Sequence, residues 1–331
     1  MEVKTPNSAL PLAQILSIDD LTSVFKLLSD ETRLRILSLL QENELAVGEL
    51  QKILGLGQST LSTQLGLLKE QGLLASRKEG QKVLYRIPGN EKTDPKQNII
   101  LHALQSASAA KWYARDIRGL KKVLEERGEH SREFFNSQAV QNMPSPGQSW
   151  RAMSHGLIRL IHNQRIVDLG CGNGRLSKLL AQAGNQVTGI DSSEEQIRLA
   201  RSNSDRLDKS DKLEKNPIFL HAPMEATGLS SNSFDLVILS QSLHHAAKPQ
   251  QALLESHRLL VQGGRILILD LLAHSEEWMR TKFGDFWLGF SQSDLELWLK
   301  DSGFQNVFSE ITGSTKDYPE IEGLLMQAEK P

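Results

Sequence analysis

The sequence is poor in cysteine and lacks any long apolar segment. Cys171 is the only cysteine in 331 residues, which excludes an intramolecular disulfide and a cysteine metal cluster. No run of about eighteen apolar residues occurs, so we expect no membrane-spanning helix and no membrane partner. The first residues lack the basic region and apolar core of a signal peptide. We therefore expect a cytoplasmic protein.

Neither sign of charge dominates. Lys and Arg number 38 against 40 Asp and Glu, a formal charge of -2, which argues against a chain that binds polyanions over its whole surface but not against a local basic face. A hydrophobic content of 39% with 24% charged residues is typical of globular proteins. A length of 331 residues predicts two or three domains.

A glycine-rich turn follows the short apolar stretch 165–169. Gly170, Gly172 and Gly174 alternate along it, and the leucine spacing of the next residues predicts a helix. Glycine allows a tight turn and a close approach to a ligand, and a helix start offers unpaired N–H groups. The pattern predicts the first strand, turn and helix of a nucleotide-binding sheet.

Asp191 ends the next predicted strand, 186–190. A carboxylate at this place can accept both hydroxyls of a ribose. Arg175 occupies the position at which the dinucleotide fingerprint has its last glycine. The turn therefore favours a nucleotide without a pyrophosphate.

Residues 168–174, Asp-Leu-Gly-Cys-Gly-Asn-Gly, resemble the first motif of class I S-adenosylmethionine (SAM) methyltransferases. The resemblance continues through 233–238, 243–245 and 260–266, where alternating strands and helices predict a mostly parallel, Rossmann-like α/β sheet. It implies that Asp168 and the glycine backbone hold the methionine end of SAM, and Asp191 the ribose. The implied cofactor-binding residues are Asp168, Gly170, Cys171, Gly172, Asn173, Gly174, Asp191, Ser192, Pro223, Met224, Ser240 and Gln241.

One position departs from this resemblance. Many relatives carry an acid where this chain has Pro223, to accept the adenine amino group. With Pro223 and Met224 beside the adenine, either the affinity for SAM is weaker here or Glu225 takes the place of that acid.

His244 and His245 are the candidate catalytic residues. The sulfonium of SAM already activates the methyl group, so the protein has to align donor and acceptor, and either histidine can take a proton from the acceptor near neutral pH. The alternative is a pair that only shapes the pocket. Candidate aromatic residues for the acceptor pocket, or for the core, are Phe135, Trp150, Trp278, Phe286, Trp287 and Phe290.

We expect neither a metal site nor arsenite methylation. Arsenite chemistry uses several thiolates, and the only thiol lies in the glycine turn. Four further histidines, His102, His130, His155 and His162, show no ligand spacing.

The N-terminal part of the chain has a different pattern. Apolar spacing predicts helices over 18–28, 30–40, 47–54 and 58–70, and two strands follow at 74–77 and 82–87. Helices, a tight turn, a further helix and a basic hairpin predict a winged helix-turn-helix, mostly α with a β wing.

The start of the fourth predicted helix carries short polar side chains that can reach bases and phosphates in a major groove. With the basic hairpin they form the candidate DNA-binding face, and the alternative is an ordinary solvated surface. The candidate residues are Gln58, Ser59, Thr60, Ser62, Thr63, Gln64, Arg77, Lys78 and Lys82.

Residues 28–37 and 58–65 resemble the ArsR family of bacterial winged-helix regulators. The resemblance implies a recognition helix at 58–70, a palindromic double-stranded DNA operator and a homodimer. Many members sense metal or arsenite through cysteines where this chain has Ala46 and Gly48, so the family's usual inducer site is absent.

The sequence thus predicts a winged helix-turn-helix over 15–95, a connecting or dimerisation helix over 96–130, a methyltransferase domain over 131–312 and a tail over 313–331. Our first hypothesis is a regulator that binds SAM and methylates a small molecule. The second is a sensor that binds SAM or S-adenosylhomocysteine as an effector without catalysis. The third is an enzyme whose N-terminal domain only dimerises.

Overall fold

The computed structural model describes residues 16–88, 95–136, 161–205, 217–314 and 321–331. They form two compact units, Met1–Val123 and Leu124–Pro331. The boundary lies within the segment 96–130, for which the sequence predicts a connecting helix. No helix among the described residues combines the length and the apolar character needed to cross a membrane.

The first unit begins with the helices that the apolar spacing predicts, α1 (Ile18–Leu28), α2 (Glu31–Leu40), α3 (Val47–Leu54) and α4 (Gln58–Glu70). The side chains of Ser17 and Asp30 accept backbone N–H groups at the starts of α1 and α2, which the first turn of a helix leaves unpaired. Gly55 ends α3 in the left-handed conformation, with φ of 68°, which glycine adopts without steric cost.

A small antiparallel sheet completes this unit. Its strands are β1 (Leu45–Ala46), β2 (Ala75–Glu79) and β3 (Lys82–Arg86), in the order β1-β3-β2. Glu79 pairs with Lys82 next to the turn of the predicted basic hairpin. The predicted winged helix-turn-helix is confirmed.

The predicted connecting helix is interrupted. Two helices, α5 (Pro95–Ala107) and α6 (Tyr113–Asn136), replace the single helix expected over this segment. The N–H of Ala110 bonds the carbonyl of Ala107 at 2.9 Å, a tight turn that ends α5 in its alanine and serine stretch. α5 packs on α1 and α2, so this part of the connector belongs to the core of the first unit. Its role in a homodimer stays a prediction.

The second unit is built on one mostly parallel sheet, whose strand order is β6-β5-β4-β7-β8-β10-β9. The parallel strands are β4 (Arg165–Leu169), β5 (Gln186–Asp191), β6 (Ile218–His221), β7 (Phe234–Ser240) and β8 (Leu260–Leu271). The remaining strands, β9 (Gln305–Thr312) and β10 (Gly323–Glu329), run antiparallel to their neighbours.

Helices connect these strands as the sequence predicts for a Rossmann-like sheet. They are α7 (Arg175–Gln182), α8 (Glu194–Asp205), α9 (Pro249–Leu259), α10 (Trp278–Lys282) and α11 (Gln292–Asp301), with a 3-10 turn at Leu243–His245. The predicted α/β fold class of this unit is confirmed.

The C-terminal segment corrects one expectation. The sequence assigns 313–331 to a tail, yet residues 323–329 form β10, which inserts between β8 and the edge strand β9. Leu324 and Met326 are fully buried there. Apolar residues alternate over only a few positions in this segment, which is a weak signal for a strand. Pairing with β8 is what places one face of β10 against the core.

The parallel strands β4 to β8 end at one edge of the sheet, called here the carboxyl edge. In open α/β sheets ligands bind at this edge. The predicted cofactor residues follow the ends of β4, β5, β6 and β7, so the fold brings them to the same side of the second unit.

Candidate functional site

The glycine turn after β4 adopts a backbone conformation that requires glycine. Gly170, Gly172 and Gly174 have φ of 77°, 53° and 77°, in the left-handed region that L side chains rarely occupy. A Cβ on Gly170 would lie 2.4 Å from Cβ of Ser242, and one on Gly174 would lie 2.7 Å from Cζ of Phe219. The turn therefore requires glycine at these positions for two reasons, its left-handed backbone and the close packing of neighbouring side chains.

Asp191 fastens this turn to the end of β5. Its Oδ2 accepts the N–H of Gly172 at 2.8 Å, and its Oδ1 accepts the N–H of Ser193 at 2.8 Å. Burial raises the pKa of Asp191, against the lowering effect of these backbone bonds. Each carboxylate oxygen keeps a further lone pair, so the oriented side chain can still accept ribose hydroxyls.

Asp168 lies beneath the turn. Only 2% of the residue is exposed, and Oδ2 accepts the hydroxyl of Ser177 on α7 at 2.6 Å. Burial raises the pKa of Asp168 to about 6, while the Ser177 bond opposes this shift. The carboxyl group therefore ties β4 to α7, which sets where the helix start faces.

Cys171 is buried in the turn, and burial raises the pKa of its thiol far above the usual range. A thiolate is the reactive form of cysteine. Cys171, the only cysteine in the sequence, is therefore a packing group in its protonated form, and the absence of arsenite methylation stays a prediction.

The other predicted cofactor residues lie along the same edge. Cε of Met224 is 3.3 Å from the Cβ position of Gly170, which places its side chain against the turn. Gln241 has a φ of 54° directly after β7. The remaining members of this edge group are Asn173, Ser192, Pro223 and Ser240.

Glu225 is already engaged. Its Oε1 accepts the N–H of Lys248 at 3.1 Å, at the start of α9. If Glu225 accepts the adenine amino group, its carboxylate has to accept that hydrogen bond in addition to the one from the N–H of Lys248. Sequence reasoning missed this contact because the two residues are 23 positions apart.

The histidine pair occupies a buried, acidic environment. His244 is 4% exposed, and its Nδ1 lies 2.7 Å from Oδ1 of Asp270 and its Nε2 3.6 Å from Oδ1 of Asp285. Burial lowers the pKa of His244, but the charges of both aspartates outweigh it and raise the pKa to about 10. An imidazole that already carries its proton at neutral pH is poorly suited to accept another.

His245 is the more accessible of the two, with 12% of its side chain exposed. Its ring lies edge-on to Phe135 on α6, with centroids 4.7 Å apart. Phe135 was predicted as an acceptor-pocket residue, and its ring contacts the histidine pair.

Two of the other predicted pocket aromatics are core residues, while Trp278 and Phe286 are partly exposed. Trp287 and Phe290 are 2% and 1% exposed, and Nε1 of Trp287 donates to the carbonyl of Ala246 at 2.7 Å. The guanidinium of Arg127 lies 5.1 Å from the ring centroid of Trp287. Trp150 and His155 are outside the described residues, and so is the side chain of His130.

The first two turns of α4 present the predicted DNA-reading side chains. Gln64 is half-buried, and its Oε1 accepts a hydrogen bond from Arg33 at 3.1 Å, while Leu61, Leu65 and Leu68 face the core. The exposed side chains of this face are Gln58, Ser59, Thr60, Ser62 and Thr63.

The wing places its basic residues in two different environments. Arg77 is paired inside the wing, with its guanidinium 2.7 Å from Glu44 and 3.1 Å from Glu79. Lys78 and Lys82 are exposed. Because Glu44 lies 33 positions before Arg77, no local pattern indicates that this arginine is neutralised.

Two families match this chain. Residues 30–76 match the family described as bacterial regulatory protein, arsR family, and residues 167–268 match a methyltransferase domain.

Curated relatives fall into the same two groups. A biofilm growth-associated repressor of Xylella fastidiosa (strain 9a5c) is 35% identical over 92 residues, which cover 28% of this chain and 76% of the repressor. An arsenite methyltransferase of Mus musculus is 36% identical over 124 residues, covering 35% of this chain and 33% of that protein. A demethylmenaquinone methyltransferase of Clavibacter sepedonicus is 33% identical over 123 residues, covering 37% and 47%. The chain thus spans less than half of the length of these methyltransferase relatives.

Proposed function

Since the chain belongs to the arsR family of bacterial regulatory proteins through its N-terminal domain and carries a methyltransferase domain, we propose that it is a DNA-binding regulator that binds SAM and methylates a small molecule. The acceptor is a compound distinct from arsenite, because the sole thiol is buried and protonated.

The observation that carries SAM binding is the bond between Asp191 and the glycine turn. The turn keeps its left-handed glycines at the carboxyl edge, where a Cβ on Gly170 would fill the space beside Ser242 and Met224. The carboxylate of Asp191 is held at 2.8 Å from the N–H of Gly172. A backbone cradle and an oriented carboxylate are what an adenosine with a short, charged substituent requires.

The chain's own groups have separate tasks in methyl transfer. SAM supplies an activated methyl group on a sulfonium. Asp191 positions the ribose, the glycine backbone positions the methionine end, and Met224 packs against the turn. His245, half-buried beside Phe135, is the better placed of the two histidines to receive a proton from the acceptor.

The test is calorimetric titration of the full-length protein with SAM and with S-adenosylhomocysteine, together with mass spectrometry of any nucleoside that co-purifies. We expect saturable binding of both nucleosides at one site. If neither binds, the cofactor assignment and the enzyme assignment fall together.

One observation favours a second function, a sensor without catalysis. His244 is held between Asp270 and Asp285 and has a pKa raised to about 10, which leaves His245 as the only candidate proton acceptor of the pair. Incubation with methyl-labelled SAM and a metabolite extract separates the two functions. Labelled product excludes the pure sensor, and SAM binding without labelled product from any extract supports it.

DNA binding is supported by the family match and by the exposed polar face at the start of α4. We propose a homodimer on a palindromic double-stranded operator in the cytoplasm. Light scattering of the purified protein tests the dimer, and an operator shift at physiological salt tests the DNA complex. A dimer that does not bind the operator would support the third hypothesis, an enzyme whose N-terminal domain serves only for dimerisation.

Coupling between the two functions requires that SAM bind with different affinity to the free and the DNA-bound protein. Titration of SAM in the presence and absence of saturating operator measures this difference directly. Equal affinities would mean that the nucleoside does not regulate DNA binding.

A further inference from the structure

A cluster of metal-ligating side chains lies beside the cofactor turn, and it includes His245, the candidate proton acceptor of the proposed function. His244 and His245 come from the 3-10 turn after β7, and Asp285 comes from the loop between α10 and α11. One ligand atom of each residue, a ring nitrogen of each histidine and a carboxylate oxygen, lies within 4.8 Å of the others.

The separations are close to those of a coordination sphere. Nε2 of His244 is 3.6 Å and Nε2 of His245 is 3.9 Å from Oδ1 of Asp285. Ligand bonds of about 2.1 Å in tetrahedral geometry place donor atoms roughly 3.4 Å apart. The two histidine–aspartate separations therefore need only a few tenths of an ångström of adjustment, and side-chain rotation would have to bring the two imidazole donors, which lie within 4.8 Å of each other, onto the same ion.

Asp285 has an unused oxygen in a buried place. The residue is 2% exposed, and its Oδ2 has no hydrogen-bond partner among the residues that the structure describes. Burying a carboxylate oxygen without a partner is costly. Oδ1 is the oxygen that faces the imidazoles, so a cation bound by both oxygens of Asp285 would satisfy Oδ2 as well.

Asp270 contacts the ring nitrogen of His244 that lies opposite the proposed ligand atom. Its Oδ1 lies 2.7 Å from Nδ1 of His244, and the carboxylate also accepts the N–H groups of Leu243 and Leu271 at 2.9 and 2.8 Å. A carboxylate that receives the second ring N–H of a histidine fixes the other ring nitrogen as a metal ligand. Two buried carboxylates also balance the charge of one divalent cation, which would displace the Nε2 proton of His244.

We propose that His244, His245 and Asp285 bind a divalent transition-metal ion of the zinc class, with Asp270 as the positioning residue of His244. Two imidazoles and one carboxylate suit such ions better than Mg²⁺ or Ca²⁺, which prefer oxygen ligands. Three protein ligands leave a coordination position for water or for a small molecule with an oxygen or nitrogen donor.

The proposed ion would lie next to the cofactor turn. Ser242, two positions before His244, donates its hydroxyl to the carbonyl of Leu169 at 2.7 Å, and its Cβ is the atom that a side chain on Gly170 would strike. A small molecule on the open coordination position would thus be at the carboxyl edge. The metal site itself stands independently of SAM binding.

The test is equilibrium binding of Zn²⁺ to the full-length protein without a polyhistidine tag, followed by Co²⁺ substitution and visible spectroscopy. We expect one ion per chain, with d–d bands of a four- or five-coordinate site. His245→Gln and Asp285→Asn should each weaken binding at least a hundredfold, and Asp270→Asn should weaken it about ten- to a hundredfold.

His257→Gln is the matched control, because His257 packs against Phe304 away from the cluster and should leave binding unchanged. Far-ultraviolet circular dichroism and thermal unfolding confirm that each variant is folded. Absence of Zn²⁺ and Co²⁺ binding overturns the proposal, and so does binding that survives both His245→Gln and Asp285→Asn. Since SAM titration is a separate measurement, failure of the metal site leaves the proposed function intact.

Discussion

The Oδ2 atom of Asp191 accepts the backbone N–H of Gly172 at 2.8 Å. Together with the backbone bonds from Gly170 and Cys171 to the carbonyl of Ile190, at 2.8 and 2.9 Å, this bond joins the end of β5 to the turn that follows β4, so the carboxylate and the glycine turn are held as one unit. A ligand that uses both groups meets a site whose parts are already in place, which reduces the entropy cost of binding.

Replacing Asp191 by alanine should weaken SAM binding about ten- to a hundredfold. The variant loses hydrogen bonds to a charged acceptor, worth about 1.5–3 kcal/mol, and also releases the N–H of Gly172. Calorimetric titration measures the change. Asp235→Asn is the control, because Asp235 pairs with Arg165 away from the carboxyl edge, and its affinity for SAM should match that of the unmodified protein. Equal affinity in the Asp191 variant would contradict the assignment.

Gly170→Ala should destabilise the second unit by about 2–5 kcal/mol. A left-handed φ costs an alanine about 1–2 kcal/mol, and overpacking adds about 1–3 kcal/mol, here from a Cβ only 2.4 Å from Ser242. Urea unfolding measures the loss.

Gly184→Ala separates these two contributions. Gly184 has a φ of 88° and no atom within 4 Å of its Cβ position, so that variant should lose only the backbone part. Equal losses for both substitutions would show that the contact with Ser242 relaxes without cost.

Stability should fall with rising pH through the titration of Asp168. Burial raises its pKa from 3.8 to about 6, so the folded state binds the proton more tightly than the unfolded state. Protonated Asp168 therefore contributes to the free energy of unfolding. This contribution, about 3 kcal/mol, is lost as the pH rises from about 4 to 6.

Asp168→Asn isolates this effect, because it keeps a hydrogen-bond acceptor for Ser177 and cannot ionise. Urea unfolding of both proteins over this pH range should show the variant gaining stability relative to the unmodified protein as pH rises. A constant difference between the two proteins would mean that the carboxyl group has an ordinary pKa.

Lys78→Ala and Arg77→Ala should act differently although the residues are neighbours. Lys78 is exposed on the wing, so removing one phosphate contact should reduce the slope of log K against log salt by about 0.9 on duplex DNA, without loss of stability. Fluorescence anisotropy at several salt concentrations measures this slope.

Arg77 is paired with Glu44 and Glu79. Its loss should cost up to about 3 kcal/mol of stability, because two buried carboxylates would lose this cation, although Arg86 still lies 3.7 Å from Glu44. A salt slope that changes in the Arg77 variant and not in the Lys78 variant would reverse the two roles.

Local patterns account for the features that were predicted well. The glycine turn, the helix that follows it and the aspartate at the end of the next strand are close together in the chain. Their arrangement is therefore set by local backbone preferences. The helices of the winged helix-turn-helix also follow from local patterns, since α1, α3 and α4 begin and end at the predicted residues.

The arrangements that decide chemistry came from distant parts of the chain. Asp285 reaches His244 across 41 positions by residue number, and Asp270 reaches it across 26. Nothing in the neighbourhood of the histidine pair indicates two buried carboxylates. The same holds for the pairing of Arg77 with Glu44 and for the insertion of β10 between β8 and β9.

Local sequence patterns were sufficient to predict the winged helix-turn-helix, the mostly parallel α/β sheet, the glycine turn after β4 and the polar start of α4, because backbone preferences and apolar periodicity act over a few residues. Tertiary structure alone decided which charges are buried together, which arginine of the wing is neutralised and where the C-terminal strand lies. Those outcomes depend on how separate elements pack, and burial then sets the electrostatics of each group.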